Sequence, residues 1–390
     1  MDILKAELAE FQTLKDLKTV LSATGPCVSV YMQLSSTSPA QNSKMNSLEW
    51  KNTLRGLNGK VGQFGEKGRE LIDSLPDWQS ILQLHTRPQG KSVAVFRSPE
   101  VFRATWLDRG VVSRAFVGPR FHIRPLLPDL TRDRDFYLLA LSQNDVRLLR
   151  CSTRTSEEIP FPAGTIGSFE VWMNTAKPDH VLDNRGSVGP TAGHMKGVMF
   201  STSSDREAKG QYLSHFFKQI DRGVNELLRG QTEPLVLAAV EYERSLYRTV
   251  SSYPHLVQES VHGAPNGLKA GEMHARALEA LERCYNTEVD NRLTEWNHKV
   301  GSGASNRLKD VVTAAYDGRV TVLLVSDSLE QTGVFDETTH TVKGRETGTA
   351  NDEDLVNDAA VQTILHAGSV LVAPNAKMPN GAPAAAIYRF

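Results

Sequence analysis

The sequence predicts an α/β protein built as three domains in series, over residues 1–130, 131–260 and 261–390. Three observations lead there. At 390 residues the chain exceeds the size at which one hydrophobic core keeps growing. From residue 135 onward, short apolar runs of strand length alternate with stretches of helical period. With 40% hydrophobic and 23% charged residues, the chain can bury enough apolar surface to fold throughout.

The first domain opens on the strand-like Cys27 to Leu34, and the Ser- and Asn-rich stretch 35–47 predicts a polar loop. Leu48, Leu54 and Leu57 predict a helix, which the glycines at 56, 59, 62, 65 and 68 weaken toward its end. Strands are expected at Ser92–Phe96, Phe102–Leu107 and Arg120–Pro125; the residue before a proline prefers extended backbone.

In the second domain, Phe136–Leu141 is a continuous apolar run suited to a buried strand, with Asp145–Cys151 as its hairpin partner. Residues 183–204 have no period and predict a long mobile loop of the kind that carries function. After it, Tyr212, Phe216, Ile220, Val224 and Leu227 recur every three or four residues and predict an amphipathic helix. Leu235–Glu241 then reads as a strand.

A linker-like Gly263-Ala264-Pro265-Asn266-Gly267 lies near the start of the third domain. Leu278, Leu281, Tyr285, Val289, Leu293 and Trp296 form one helical stripe. Two further helices, Asn306–Tyr316 and Asp352–His366, end at Gly318 and Gly368, where a helix C-cap favours glycine. Strands Val320–Val325 and Val370–Val372 follow them. The acidic Asp352-Glu353-Asp354 is explained by the dipole of the last helix.

Several kinds of chemistry are not expected. The N-terminus lacks the basic and apolar regions of a signal peptide, and no apolar run approaches the ~20 residues that span a bilayer, so a soluble, cytoplasmic protein is expected. Three separated cysteines fit a reducing compartment. Neither a phosphate-binding loop nor a Gly-x-Ser-x-Gly elbow occurs. Gly301–Asn306 follows a helix instead of a strand and reads as a hinge. His180, Asp183 and His194 lack metal-ligand spacing, so no metal or other cofactor is expected.

The net charge of −1 hides an asymmetry. Between Arg87 and Arg134 ten Lys or Arg stand against four Asp or Glu, whereas from Ser260 onward twelve basic side chains face seventeen acidic ones. The first zone, with Arg103, Arg109, Arg114 and Arg120, is a candidate RNA-phosphate face; solvated strand surfaces would produce the same excess.

Pro26–Met32 with its polar loop and helix, the helix Tyr212–Asp221, and the final alternation ending in Val370–Val372 together resemble the bacterial branch of the archaeo-eukaryotic class 1 release factor and Pelota superfamily. The resemblance covers the chain as order and texture. It implies a ribonuclease-H-like middle domain, an L7Ae-like C-terminal domain, and action at the ribosome on rRNA and tRNA, with a translational GTPase as a partner through the C-terminal domain.

Catalytic members of that superfamily carry Gly-Gly-Gln in the middle-domain loop. Here the nearest match is Lys209-Gly210-Gln211. Glycine lets backbone approach the peptidyl-tRNA ester, and the amide of Gln211 would position water. Lys209 replaces one glycine, however, and Ser204 to Glu207 reads as a capping box that would start a helix near Asp205, ahead of Gln211. Asn42-Ser43-Lys44 is too short a match to the stop-codon-reading Asn-Ile-Lys-Ser. The expected function is therefore binding in stalled or idle translation, with peptidyl-tRNA hydrolysis through Gly210 and Gln211, or a scaffold role away from ribosomes, as alternatives. Lys196 and Lys209 join the arginines as expected RNA contacts.

Overall fold

The computed structural model describes residues 17–23, 25–35, 42–57, 65–83, 90–132, 135–175, 203–336, 338–344 and 353–389. Among the described residues it is a mixed α/β protein with four sheets. Two compact units emerge, one made of residues 1–132 and 287–390, the other of residues 133–286.

The N-terminal half of the first unit holds α1 (Lys18–Leu21), β1 (Cys27–Gln33), α2 (Ser43–Arg55), α3 (Gly65–Asp73), α4 (Trp78–Gln83), β2 (Ser92–Arg97), β3 (Phe102–Leu107), β4 (Arg114–Gly118) and α5 (Leu127–Leu130). The strands form an antiparallel sheet in the order β3-β2-β1-β4. All of Cys27 to Met32 is buried because both faces of β1 are covered. Val28, Val30 and Met32 pack with Trp50 of α2 and with Trp78 and Ile81 of α4.

Cys27 and Tyr31, on the opposite face, share a core with Val311, Leu323, Leu355 and Val356 from the other end of the chain. The α2 stripe differs from the expected one: Leu48 is 59% exposed, and Asn46 and Trp50 face inward.

The strand expected at Arg120–Pro125 does not form; β4 lies earlier, and residues 124–126 make a 3₁₀ turn into α5. The backbone N–H groups of Ile123 and Arg124 both donate to Asn357 Oδ1, at 2.8 and 3.2 Å. That side chain occupies donors a strand partner would have used, and it overrides the pre-proline preference for extended backbone.

The second unit contains β5 (Phe136–Leu141), β6 (Val146–Cys151), β7 (Ser156–Ile159), α6 (Phe169–Thr175), α7 (Ser203–Leu227), β8 (Leu235–Ala239), α8 (Glu241–Val250), β9 (Leu256–His262) and the first part of α9 (Ala270–Lys299). Its sheet runs β7-β6-β5-β8-β9, with β5, β6 and β7 antiparallel and β8 and β9 parallel to β5. Tyr137, Leu139 and Leu141 meet Leu213, Phe216, Phe217, Ile220 and Val224 of α7. The other face of β5 meets Met273, Ala277 and Ala280 of α9. Period 2 on the strand and period 3.6 on the helices thus build a three-layer unit.

The chain then returns to the first unit with β10 (Ala304–Ser305), α10 (Leu308–Tyr316), β11 (Val320–Ser326), β12 (Thr332–Asp336), β13 (Thr341–Gly344), β14 (Glu353–Asp354), α11 (Leu355–Leu365), β15 (Ser369–Ala373) and β16 (Ala384–Tyr388). One sheet is ordered β10-β16-β11-β15, with β11 and β15 parallel; the small β13-β12-β14 sheet is antiparallel. Gly318 takes φ of +67° and ends α10 as a left-handed cap. At the end of α11 that conformation belongs to Ala367, with φ of +58°. Gly368 is required for space instead, since a Cβ there would lie 2.6 Å from Thr363 Cγ2 and 2.7 Å from the Val320 carbonyl oxygen.

Asp354 does more than face a helix dipole. It caps α11, accepting from the Val356 N–H at 3.1 Å, and pairs with Arg124.

Candidate functional site

Gln211 lies inside α7, eight residues after its start, and its side chain is exposed. The segment 209–211 is therefore helix, in a helix that begins at Ser203, ahead of the Ser204 that the sequence offered as its N-cap. Gly210 has a neighbour: a Cβ built there would come within 2.8 Å of the Tyr242 Oη from α8. Tyr242 is 57% exposed, so its hydroxyl can swing away. Gly210→Ala is accordingly expected to leave the unfolding free energy within ~1 kcal/mol of wild type or to raise it, because alanine favours helix over glycine by about that amount. Urea melts check this, and a loss above ~2 kcal/mol would mean that Tyr242 is pinned against the helix. Lys196, the loop segment 183–202 and the trio His180, Asp183 and His194 lie outside the described residues.

The arginines of the basic zone fall within the first unit. Arg103 stands on β3 and donates to the Phe102 carbonyl at 3.0 Å. Arg120 lies over the Tyr316 ring at 5.8 Å. Arg109 donates through Nε to Asp129 at 2.8 Å and through Nη2 to the Pro125 carbonyl. Arg114, nearly half exposed, bonds Glu330 at 2.6 Å and covers Phe116 at 5.0 Å. Beyond it, the Phe116 ring stacks on His122 with 3.7 Å between centroids.

Two of these arginines, Arg109 and Arg114, converge on a cleft of about 420 Å³ with Arg124 and Arg132. Its far wall is Ser326 to Ser328 and Glu330, from the end of β11 and the turn after it. A recess of about 110 Å³ adjoins it along Phe116 to Arg120, and is shared with Asp354 and Asn357. Buried groups fix the walls. Tyr31 Oη donates to the His122 carbonyl at 2.6 Å, and burial raises the Tyr31 phenol well above its ordinary value, which keeps it a neutral donor. Arg124 is held by Asp354 at 3.1 Å and by the Ser326 and Leu329 carbonyls.

Sequence reasoning missed Arg124, Asp354, Asn357 and Tyr31. No local pattern marks them, because more than 200 positions separate Arg124 from its partners. Among the described residues, no group of three or more His, Cys, Asp or Glu side chains could hold a metal ion. None of the described helices is long and apolar enough to cross a membrane.

Residues 135–319 match the family model described as bacterial archaeo-eukaryotic release factor family 3. Over that stretch the chain resembles the bacterial branch of the release factor and Pelota superfamily, as the sequence indicated. No curated protein matches it.

Among solved structures, archaeal Pelota from a ribosome-bound model with ABCE1 is similar at 14% identity and a TM-score of 0.40, covering 98% of this chain and 95% of that one. Dom34 of S. cerevisiae, a translation termination-like factor, is similar at 13% identity and a TM-score of 0.36, covering 78% of this chain and 75% of its own. The archaeal translation termination factor aRF1 is similar at 12% identity and a TM-score of 0.22, covering 97% and 98%.

Proposed function

We propose that the chain is a ribosome-associated cytoplasmic factor of release-factor type that acts by binding in stalled or idle translation, as a rescue or hibernation factor. The family match over residues 135–319 carries this reading. The β7-β6-β5-β8-β9 order, three antiparallel strands followed by two parallel ones, supports a ribonuclease-H-like middle domain. The parallel β11–β15 pair with α10 and α11 supports an L7Ae-like C-terminal domain, through which a translational GTPase would dock. Binding is favoured over peptidyl-tRNA hydrolysis because Gln211 sits in a helix, where neither its backbone N–H nor that of Gly210 is free to approach an ester.

The RNA contacts in this reading are Arg103, Arg109, Arg114, Arg120, Lys196 and Lys209. Of these, Arg114 is exposed, and Arg103 and Arg120 are partly so, whereas Arg109 is fastened to Asp129 and the Pro125 carbonyl. The chain should pellet with ribosomes at low salt and leave them at high salt. Replacing Arg103, Arg114 and Arg120 by Ala should weaken pelleting and reduce the salt slope by about one unit per lost phosphate contact. Failure to pellet at low salt would refute the ribosomal reading and favour a scaffold role elsewhere.

A further inference from the structure

The arginine-lined cleft of the first unit is not explained by packing alone. Its lining carries four arginines and two carboxylates, Asp327 and Glu330; Arg109 and Arg124 are already paired with Asp129 and Asp354, and Arg114 meets Glu330 across the cleft. At about 420 Å³ it falls within the size range of small-molecule sites. Its rear is rigid, since the charge on Arg124 is buried and held from three sides and His122 is stacked on Phe116. Apolar Val111, Leu127, Val325 and Val372 fill the spaces between the polar groups. Preformed walls with a few converging cations suit a small anion better than a neutral ligand.

Across the mouth lies a replaceable partner. Arg114 and Glu330 are 48% and 42% exposed, and an ion pair so placed contributes little to stability. A phosphate dianion offers the guanidinium a stronger, bidentate acceptor than the single Glu330 oxygen it now meets. The exposed Ser328 hydroxyl on the far wall is a further donor, whereas the buried Ser326 Oγ accepts from the Leu329 N–H at 3.2 Å.

From this geometry we propose that the cleft binds a small phosphate ester with two negative charges, of the size of a nucleoside monophosphate. Its phosphate is taken by Arg114 in exchange for Glu330, with Arg109 and Arg132 beside it. The ligand would span residues from both ends of the chain and so link its presence to the stability of the unit they form. The inference does not depend on the ribosomal reading.

Isothermal titration of the full-length chain with 5′-AMP, with inorganic phosphate and with a short 5′-hydroxyl RNA, at matched ionic strength, tests it. We expect saturable binding of 5′-AMP and a rise in Tm of about 5 °C near saturation. Arg114→Gln should weaken that binding at least about tenfold, the worth of one charge-assisted bond. Glu330→Gln, which removes the competing carboxylate, should tighten it. Arg229→Gln, on the exposed surface of the other unit, should change nothing. Without ligand, the Tm of Arg114→Gln and of Glu330→Gln should stay near wild type, because the pair they alter is exposed.

If inorganic phosphate binds as tightly as 5′-AMP, with the same dependence on Arg114, the site serves the phosphate group itself and the ester proposal fails. If 5′-AMP binds more tightly, the site serves the ester. No binding of either small probe, binding indifferent to Arg114→Gln, or binding of the RNA alone would overturn the proposal.

Discussion

Arg124→Ala is expected to destabilise the unit formed by residues 1–132 and 287–390 by about 3–5 kcal/mol, as breaking a buried ion pair by removing one partner does. Arg124 and Asp354 are each 9% exposed at the side chain, so the loss would leave a buried carboxylate without its counter-charge. Two backbone carbonyls, of Ser326 and Leu329, would lose donors as well. The effect should depend on pH in a definite direction. Burial raises the Asp354 carboxyl above its ordinary value, and Arg124 is among the groups that oppose that shift. Without the guanidinium the shift grows.

A group whose folded pKa is raised contributes stability below its unfolded pKa, and that contribution is lost as pH rises through the folded value. The deficit of Arg124→Ala should therefore be smallest near pH ~4, the ordinary carboxylate value, and grow toward neutral pH. Adding Asp354→Asn should remove most of that pH dependence and recover part of the loss. Urea unfolding at several pH values, followed by tryptophan fluorescence, measures both effects. A deficit independent of pH would mean that Asp354 stays charged, or stays hydrated, in the variant.

Asp221→Ala is expected to cost the second unit about 3 kcal/mol, since several part-buried donors would lose a shared acceptor at once. Asp221 projects from α7 and is 5% exposed. It accepts from the Ser252 Oγ at 2.6 Å, the Ser252 N–H at 3.1 Å, the Ser251 Oγ at 3.1 Å and the Tyr247 Oη at 3.4 Å. These bonds tie the middle of α7 to the end of α8 and the turn that leads into β9. Tyr247 is fully buried, and burial first, then the Asp221 charge, raises its phenol far above the ordinary value, so it remains a donor at any accessible pH. Asp221→Asn keeps one acceptor oxygen and should cost roughly half as much. Chemical denaturation followed by far-UV circular dichroism checks the order wild type, Asn, Ala; equal stability of all three would mean that the turn finds other acceptors.

Much of the framework was legible in the amino-acid order, because it rests on local periodicity. The apolar run Phe136–Leu141 is β5, covered on both faces, and the stripe through Phe216, Ile220 and Val224 is the buried side of α7. Gly318 caps α10 where a left-handed residue is needed. The sequence left Gln211 between loop and helix; the structure places it in α7, which begins at Ser203. Tertiary contacts decided what local preference could not. The segment at Arg120–Pro125 gave up its extended tendency to an asparagine more than 230 positions away, and Leu48 ceded the inner face of α2 to Trp50. The arginines looked alike in the sequence, as one excess of positive charge. Only folding sorted them, because whether a guanidinium meets a carboxylate, a carbonyl, an aromatic face or an open cleft depends on which distant strands are brought beside it. Arg124 became a buried tie between the chain's two ends, while Arg114 stayed at the mouth of a cleft that neither end could form alone.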